Sequence, residues 1–119
     1  MEEELHIIHK HHLYTHDVYQ FSYAHRFDPD HFTSDSFWLE DSIYLADSPW
    51  GMGALAPTIQ QVFDDFGWYG ITRVSLEQWN HIAALHLAEK PQNAHFFDGV
   101  RQWLEEGNLG ADYFWILGP

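Results

Sequence analysis

The sequence predicts an α+β domain: an antiparallel or mixed sheet of about four to five strands, with about three helices packed on one face. Three observations carry this. Strand-like segments sit toward both ends, at 5–10, 18–27 and 113–117, helical periodicity fills much of 57–106, and nothing repeats or is of low complexity. The 119 residues, 45% of them hydrophobic, suit a single domain over 1–119 with its own core.

Residues 5–10 (Leu5-His6-Ile7-Ile8-His9-Lys10) are short and β-branched, which suits a strand. A polar turn follows over 11–17. In 18–27, Tyr19, Phe21 and Tyr23 alternate with Gln20, Ser22 and Arg26, the period of an antiparallel strand with one solvated side. These two segments are expected to form a hairpin. Residues 28–36 form a polar loop with Pro29 and room for one helical turn. Phe37-Trp38-Leu39 and Ser42-Ile43-Tyr44-Leu45 read as one bent strand or two short ones, interrupted by Glu40-Asp41. Residues 47–57 carry two Pro and two Gly and form the longest irregular connection.

The first helix is expected over 57–66, with Pro57 at its first position and Gly67 as its stop. Ile59, Val62, Phe63 and Phe66 make its apolar stripe. Residues 71–74 suit a short strand. Ser75 with Gln78 then forms a capping box for a helix over about 76–88, with Trp79, Ile82, Ala83 and Leu87 or His86 inward. Pro91 and Asn93 open a third helix that runs to Glu106, striped by Ala94, Phe97, Val100 and Leu104 and closed by Gly107. Gly99 inside it marks a close contact. Tyr113-Phe114-Trp115-Ile116-Leu117 is apolar throughout, as a central strand would be.

Charge narrows the function classes. Five Lys and Arg against 18 Asp and Glu give −13 at pH 7 with His neutral. That argues against direct nucleic-acid binding or an anionic membrane and favours a basic partner. Ten His would remove much of the charge in mild acid, since free imidazole titrates near about pH 6.5. Aromatic residues make up 18% of the chain, and some of so many are expected at the surface as interface anchors. There is no Cys, so neither disulfide nor thiol chemistry. Met1-Glu2-Glu3-Glu4 is acidic where a signal peptide would be basic, and no apolar run reaches membrane-spanning length. A soluble, cytoplasmic protein is the expectation.

Candidate chemistry is sparse. His6, His9, His11, His12 and His16 crowd the N-terminal segment, and on a strand His9 and His11 would share a face. No Cys and no His-Glu-x-x-His supports a closed zinc site, so no metal or cofactor is expected. Asp28-x-Asp30 fails as a calcium loop, because Thr33 stands where Gly is needed and Leu39 where Glu is. Asp65-Phe66-Gly67 matches the kinase magnesium tripeptide by chance in a chain lacking every other kinase element. No Gly-x-Ser-x-Gly elbow is present, and Gly51-Met52-Gly53 lacks the third Gly of a phosphate-binding turn. The chain is expected to have no catalytic residues and not to be an enzyme.

The informative feature is misplaced charge. On these boundaries Asp64-Asp65 end the first helix and Glu105-Glu106 end the third. The helix macrodipole favours cations there, and each exposed carboxylate costs on the order of 0.3–1 kcal/mol. Solvent screening, with Arg73 or Arg101 nearby, is the bland explanation. The functional one is a concentrated negative surface for a cationic partner. Partner-binding candidates are therefore Asp64, Asp65, Glu105 and Glu106, with Glu40 and Asp41, and with Trp68 and Tyr69 as aromatic anchors.

An acidic chain of this length, with Asp-Ser-Phe-Trp (35–38), Phe66-Gly67-Trp68-Tyr69-Gly70 leading into Thr72-x-Val74-Ser75 and Gln78-Trp79, and terminal Tyr113-Phe114-Trp115-Ile116-Leu117-Gly118, resembles small cytosolic immunity proteins of bacterial polymorphic toxin and contact-dependent inhibition systems. The resemblance covers about a third of the chain and rests on no mechanistic motif. It implies tight one-to-one binding of a cognate basic toxin domain, often a nuclease, whose active site or substrate groove is blocked. Alternatives are an acidic DNA mimic or regulatory binding protein, which needs carboxylates in an elongated double row, and a small His-dependent metal-binding protein or enzyme.

Overall fold

The structure is a computed structural model, and it describes residues 4–13, 15, 17–63 and 70–118. Among these, five strands form one antiparallel sheet: β1 (Ile8–His9), β2 (Val18–Tyr23), β3 (Ile43–Ala46), β4 (Ile71–Ser75) and β5 (Tyr113–Leu117). Their spatial order is β1-β3-β2-β5-β4. Three α-helices accompany them: α1 (Met52–Val62), α2 (Leu76–Glu89) and α3 (Ala94–Gly107). The fold is thus α+β, and the apolar C-terminal strand lies between β2 and β4 as its composition requires.

Alternation assigns the two faces. Tyr19, Phe21 and Tyr23 of β2, Ile43 and Leu45 of β3, Val74 of β4, and Phe114 and Ile116 of β5 join one core with Leu55, Ile59, Trp79, Ile82, Phe97, Val100 and Trp103 of the helices. The opposite face carries Gln20, Ser22, Tyr44, Trp115 and Leu117, all buried. There Trp115 and Leu117 pack with Phe27, against half-buried Phe37 and Tyr113.

The solvated side expected for β2 does not exist, since Gln20 is 4% exposed and Ser22 0%. Two of the residues that displace the water come from segment 24–42, namely Phe27 and Trp38. The expected hairpin of 5–10 with 18–27 is also absent. β1 is two residues long and pairs with β3, while β2 pairs with β3 and β5. His11 lies in a 3-10 turn, Lys10–His12, and not on a strand beside His9. Residues 37–39 are not strand either. A 3-10 turn at Ser34–Ser36, boxed by the Thr33 and Ser36 side chains, precedes them.

Helix α1 begins five residues before its expected start. Gly51 caps it, and a Cβ there would overlap the Ala46 carbonyl oxygen. Pro57 therefore sits inside the helix, exposed to solvent. With no N–H, it cannot make the helical bond to the Gly53 carbonyl. The helix closes at Val62, and Phe63 is already extended. The expected end of this helix is Phe66, after Asp64 and Asp65. Both lie outside the described residues, as do Phe66, Gly67, Trp68 and Tyr69.

Helix α2 matches its capping box: the Gln78 N–H donates to Ser75 Oγ (3.0 Å) and the Ser75 N–H donates to Gln78 Oε1 (2.9 Å). Its buried residues are Trp79, Ile82 and His86. In α3 the buried stripe is Phe96, Phe97, Val100 and Trp103, so Ala94 is exposed and Leu104 only half-buried. Gly99 does mark a close contact, with the Ile7 side chain. Gly107 stays helical and does not act as the stop; Asn108 follows as the C-cap.

Candidate functional site

The last turn of α3 carries Glu105 and Glu106, both exposed, with no basic residue beside them in that turn. The cations the sequence offers as compensation are engaged elsewhere. Arg101 bonds Asp98, and the Arg73 guanidinium lies 4.1 Å over the Tyr113 ring. Among the described residues no ion pair reaches Glu105 or Glu106. Gln102 Nε2 donates to Glu106 Oε1 at 3.0 Å.

The turn is locked to the sheet by Tyr23. Its ring stacks on Trp103 with centroids 4.2 Å apart, and its hydroxyl donates to the Trp103 carbonyl at 2.8 Å. Gly107 makes room, since a Cβ there would overlap the Tyr23 ring. Trp103 in turn donates its indole N–H to the Asp41 carbonyl at 2.7 Å. That bond ties segment 37–42 to α3 across 62 residues of chain. Burial first, then the carboxylates of Asp41 and Glu106, push the Tyr23 hydroxyl up to about 12. Through the Trp103–Asp41 bond the fold ties the loop that carries Glu40 and Asp41 to the helix that ends in Glu105 and Glu106.

Beside Asp41 stands an aromatic that the sequence did not nominate as an anchor. Trp38 is 38% exposed and stacks over Tyr44, centroids 6.1 Å apart. Its φ of 62° lies in the left-handed region. For a bulky residue that conformation costs on the order of 1–3 kcal/mol and persists only where its surroundings impose it. Here the Trp38 N–H donates to Gln20 Oε1 at 2.9 Å, and Gln20 Nε2 donates to Ser42 Oγ at 3.0 Å. The Tyr44 hydroxyl donates to the Leu39 carbonyl at 2.7 Å. Burial, with Asp41 nearby, raises its pKa. Asp41 also accepts from Arg26 Nε at 2.7 Å, a pair largely open to solvent.

The arrangement is therefore a partly exposed indole in a braced loop that also carries Glu40 and Asp41, tied through Trp103 to the helix that ends in Glu105 and Glu106. Of the expected residues, Glu40, Asp41, Glu105 and Glu106 are described; Glu40 is exposed next to Asp41. The expected anchors Trp68 and Tyr69 lie outside the described residues, with Asp64 and Asp65. Trp38, Tyr23 and Trp103 were missed as site residues. Trp38 falls in the Asp-Ser-Phe-Trp segment, but nothing local signals its left-handed backbone.

Among the described residues, no three His, Asp or Glu side chains converge as a metal site. His6 pairs with His95, ring centroids 5.9 Å apart. His95 Nε2 donates to the Leu5 carbonyl at 2.8 Å. Among the described residues no helix is long and apolar enough to cross a membrane. No protein-family model matches the sequence, and no curated protein or solved structure matches it either.

Proposed function

We propose that the chain is a binding module of the immunity-protein kind. It would neutralise a cognate basic toxin domain, often a nuclease, through an acidic surface with aromatic anchors. The observation that carries this reading is Trp38, 38% exposed on a strained backbone, in the loop whose Asp41 carbonyl is bonded by Trp103 near the acidic end of α3. Folding alone favours neither a left-handed tryptophan nor carboxylates at a helix C-terminus. Binding favours both. A nuclease domain must be basic to hold phosphates. A negative surface speeds its capture, by about 10- to 1,000-fold at low salt. A desolvated tryptophan then slows release. No proton transfer or cofactor is needed.

The test is titration of a basic toxin-like domain encoded beside this gene. The expected outcome is one-to-one binding, nanomolar or tighter, that weakens with salt. Glu105→Lys with Glu106→Lys should slow association and leave stability equal or higher, because the dipole clash is removed. Trp38→Ala should speed dissociation. Binding without salt dependence, or failure to protect cells from the toxin, overturns the reading.

A further inference from the structure

Neighbours on one turn, Glu105 and Glu106 serve different surroundings. The Glu106 carboxylate accepts from Gln102 and adds its charge to the surroundings of the Tyr23 hydroxyl. Glu105 lines a groove of about 420 Å³ between α2 and α3, walled by Leu76, Trp79 and Leu104 and rimmed by Asn80 and Arg101. Asn108, Gly110 and Ala111, of segment 108–111, complete its lining.

That segment is rigidly built. Asn108, 2% exposed, donates from Nδ2 to the carbonyls of Ala111 (3.2 Å) and Tyr113 (2.9 Å), and its Oδ1 accepts from the Ala24 N–H (2.9 Å). The turn so fixed holds Leu109 at φ 53° and leaves it 80% exposed. Leucine is a poor choice there on both counts. The left-handed region suits Gly or Asn, and a leucine side chain in water forgoes its burial. Leu109 does not line the groove, but it stands between the lining residues Asn108 and Gly110, so an exposed apolar side chain and an apolar groove share one turn, as a docking anchor requires.

The charge around them defines the occupant. Glu105 lines the groove with no ion pair among the described residues, and Asp112 adjoins it, its carbonyl accepting from the Leu76 N–H at 2.9 Å. Arg101, the cation on the rim, is bonded to Asp98. We propose that this groove, with Leu109, receives an aromatic or large aliphatic side chain of the protein partner, one flanked by Lys or Arg. The inference rests on the binding-module reading and assigns that surface its apolar anchor.

The experiment is titration of the ¹⁵N-labelled full chain with three peptides: Ac-Lys-Lys-Trp-Leu-Lys-Lys-NH₂, a Lys-Lys-Gly-Ser-Lys-Lys control and a Glu-Glu-Trp-Leu-Glu-Glu control. The first should shift the Trp79 indole, Asn80, Leu104, Glu105 and Leu109 signals, and bind about fivefold or more tightly than either control. Leu109→Asn should abolish that advantage while raising the unfolding midpoint, an opposite pairing that a merely structural role would not give. Equal response to the Lys-Gly-Ser peptide overturns the anchor and leaves the acidic-surface reading standing. Equal response to the Glu peptide overturns the charge assignment and with it this proposal. Silence toward both Lys peptides overturns the anchor and the acidic-surface reading together.

Discussion

On one side of the sheet, Phe21, Phe114 and Ile116 meet three helices whose apolar residues recur at helical spacing. On the other, Gln20, Ser22, Tyr44, Trp115 and Leu117 are buried as well, in part under residues of segment 24–42, which contains two 3-10 turns and no strand or α-helix. The first side is closed by hydrophobic area. The second is closed by a few rings, Phe27, Phe37 and Trp38, and by hydrogen bonds that converge on Gln20. A layer held by few contacts opens more readily and can carry strain and exposed aromatics. The candidate site lies at its margin, where segment 37–42 meets α3.

The largest expected effect tests that contrast directly. Phe114→Ala removes a fully buried ring that meets Phe21, Trp79 and Trp103, and should cost about 3–5 kcal/mol. Phe27→Ala removes a ring whose neighbours Phe32 and Phe37 are partly exposed and can collapse, so its cost should fall at or below the low end of that range. Urea midpoints decide. Equal losses would mean that the segment is as much core as the helices are.

Next is Gln20→Ala. It leaves the Trp38 N–H and Ser42 Oγ without their Gln20 partner, at a cost of about 1–3 kcal/mol. The same change should raise hydrogen exchange in 37–42 more than in α2. Uniform exchange would show that Gln20 does not brace the segment separately from the rest.

The same contrast explains what the sequence could reveal. The capping box at Ser75 and Gln78, the inward Trp79 and Ile82, and the apolar run 113–117 are local signals, and the structure keeps them. The polar face of β2 was misread because alternation records polarity and not water. Gln20 is polar because it bonds a loop. Helix α1 was displaced because Pro57 suggested a first position, whereas Gly51, pressed on the Ala46 carbonyl, sets the start. The acidic residues Asp41 and Glu106 were legible as types. That their segments are tied together depends on Tyr23, Trp103 and Gly107, and no periodicity reports the contact of Tyr23 with the other two.

The helix side should also carry a pH dependence. Buried His86 accepts at Nε2 from Asn93 Nδ2 (2.8 Å) and donates from Nδ1 to Thr58 Oγ1 (3.2 Å), while Asn93 Oδ1 accepts from the Leu5 N–H (2.9 Å). Burial, with Lys90 adding to it and Glu89 opposing, lowers its pKa. The unfolded chain therefore binds the proton more readily. Stability should be intact above the ordinary imidazole value of about 6.5 and fall as pH drops below it toward the folded value. His86→Gln should flatten that slope in urea titrations between about pH 7 and 5. An unchanged slope would assign it to other histidines.

The smallest effect belongs to Ser22, on the loop-covered face. It is fully buried, and its Oγ has no hydrogen-bond partner among the described residues. A hydroxyl withdrawn from water without a partner carries a desolvation cost that alanine does not. Ser22→Ala should therefore be neutral or raise stability by up to about 1 kcal/mol. Ser42→Ala, on the same face, removes the acceptor of Gln20 Nε2 and should lower it by about as much. Two Ser→Ala changes of opposite sign on one buried face would show that specific hydrogen bonds close it. A loss at Ser22 matching that at Ser42 would mean that this hydroxyl is bonded in solution, and that the covering layer holds the sheet at more points than those through Gln20.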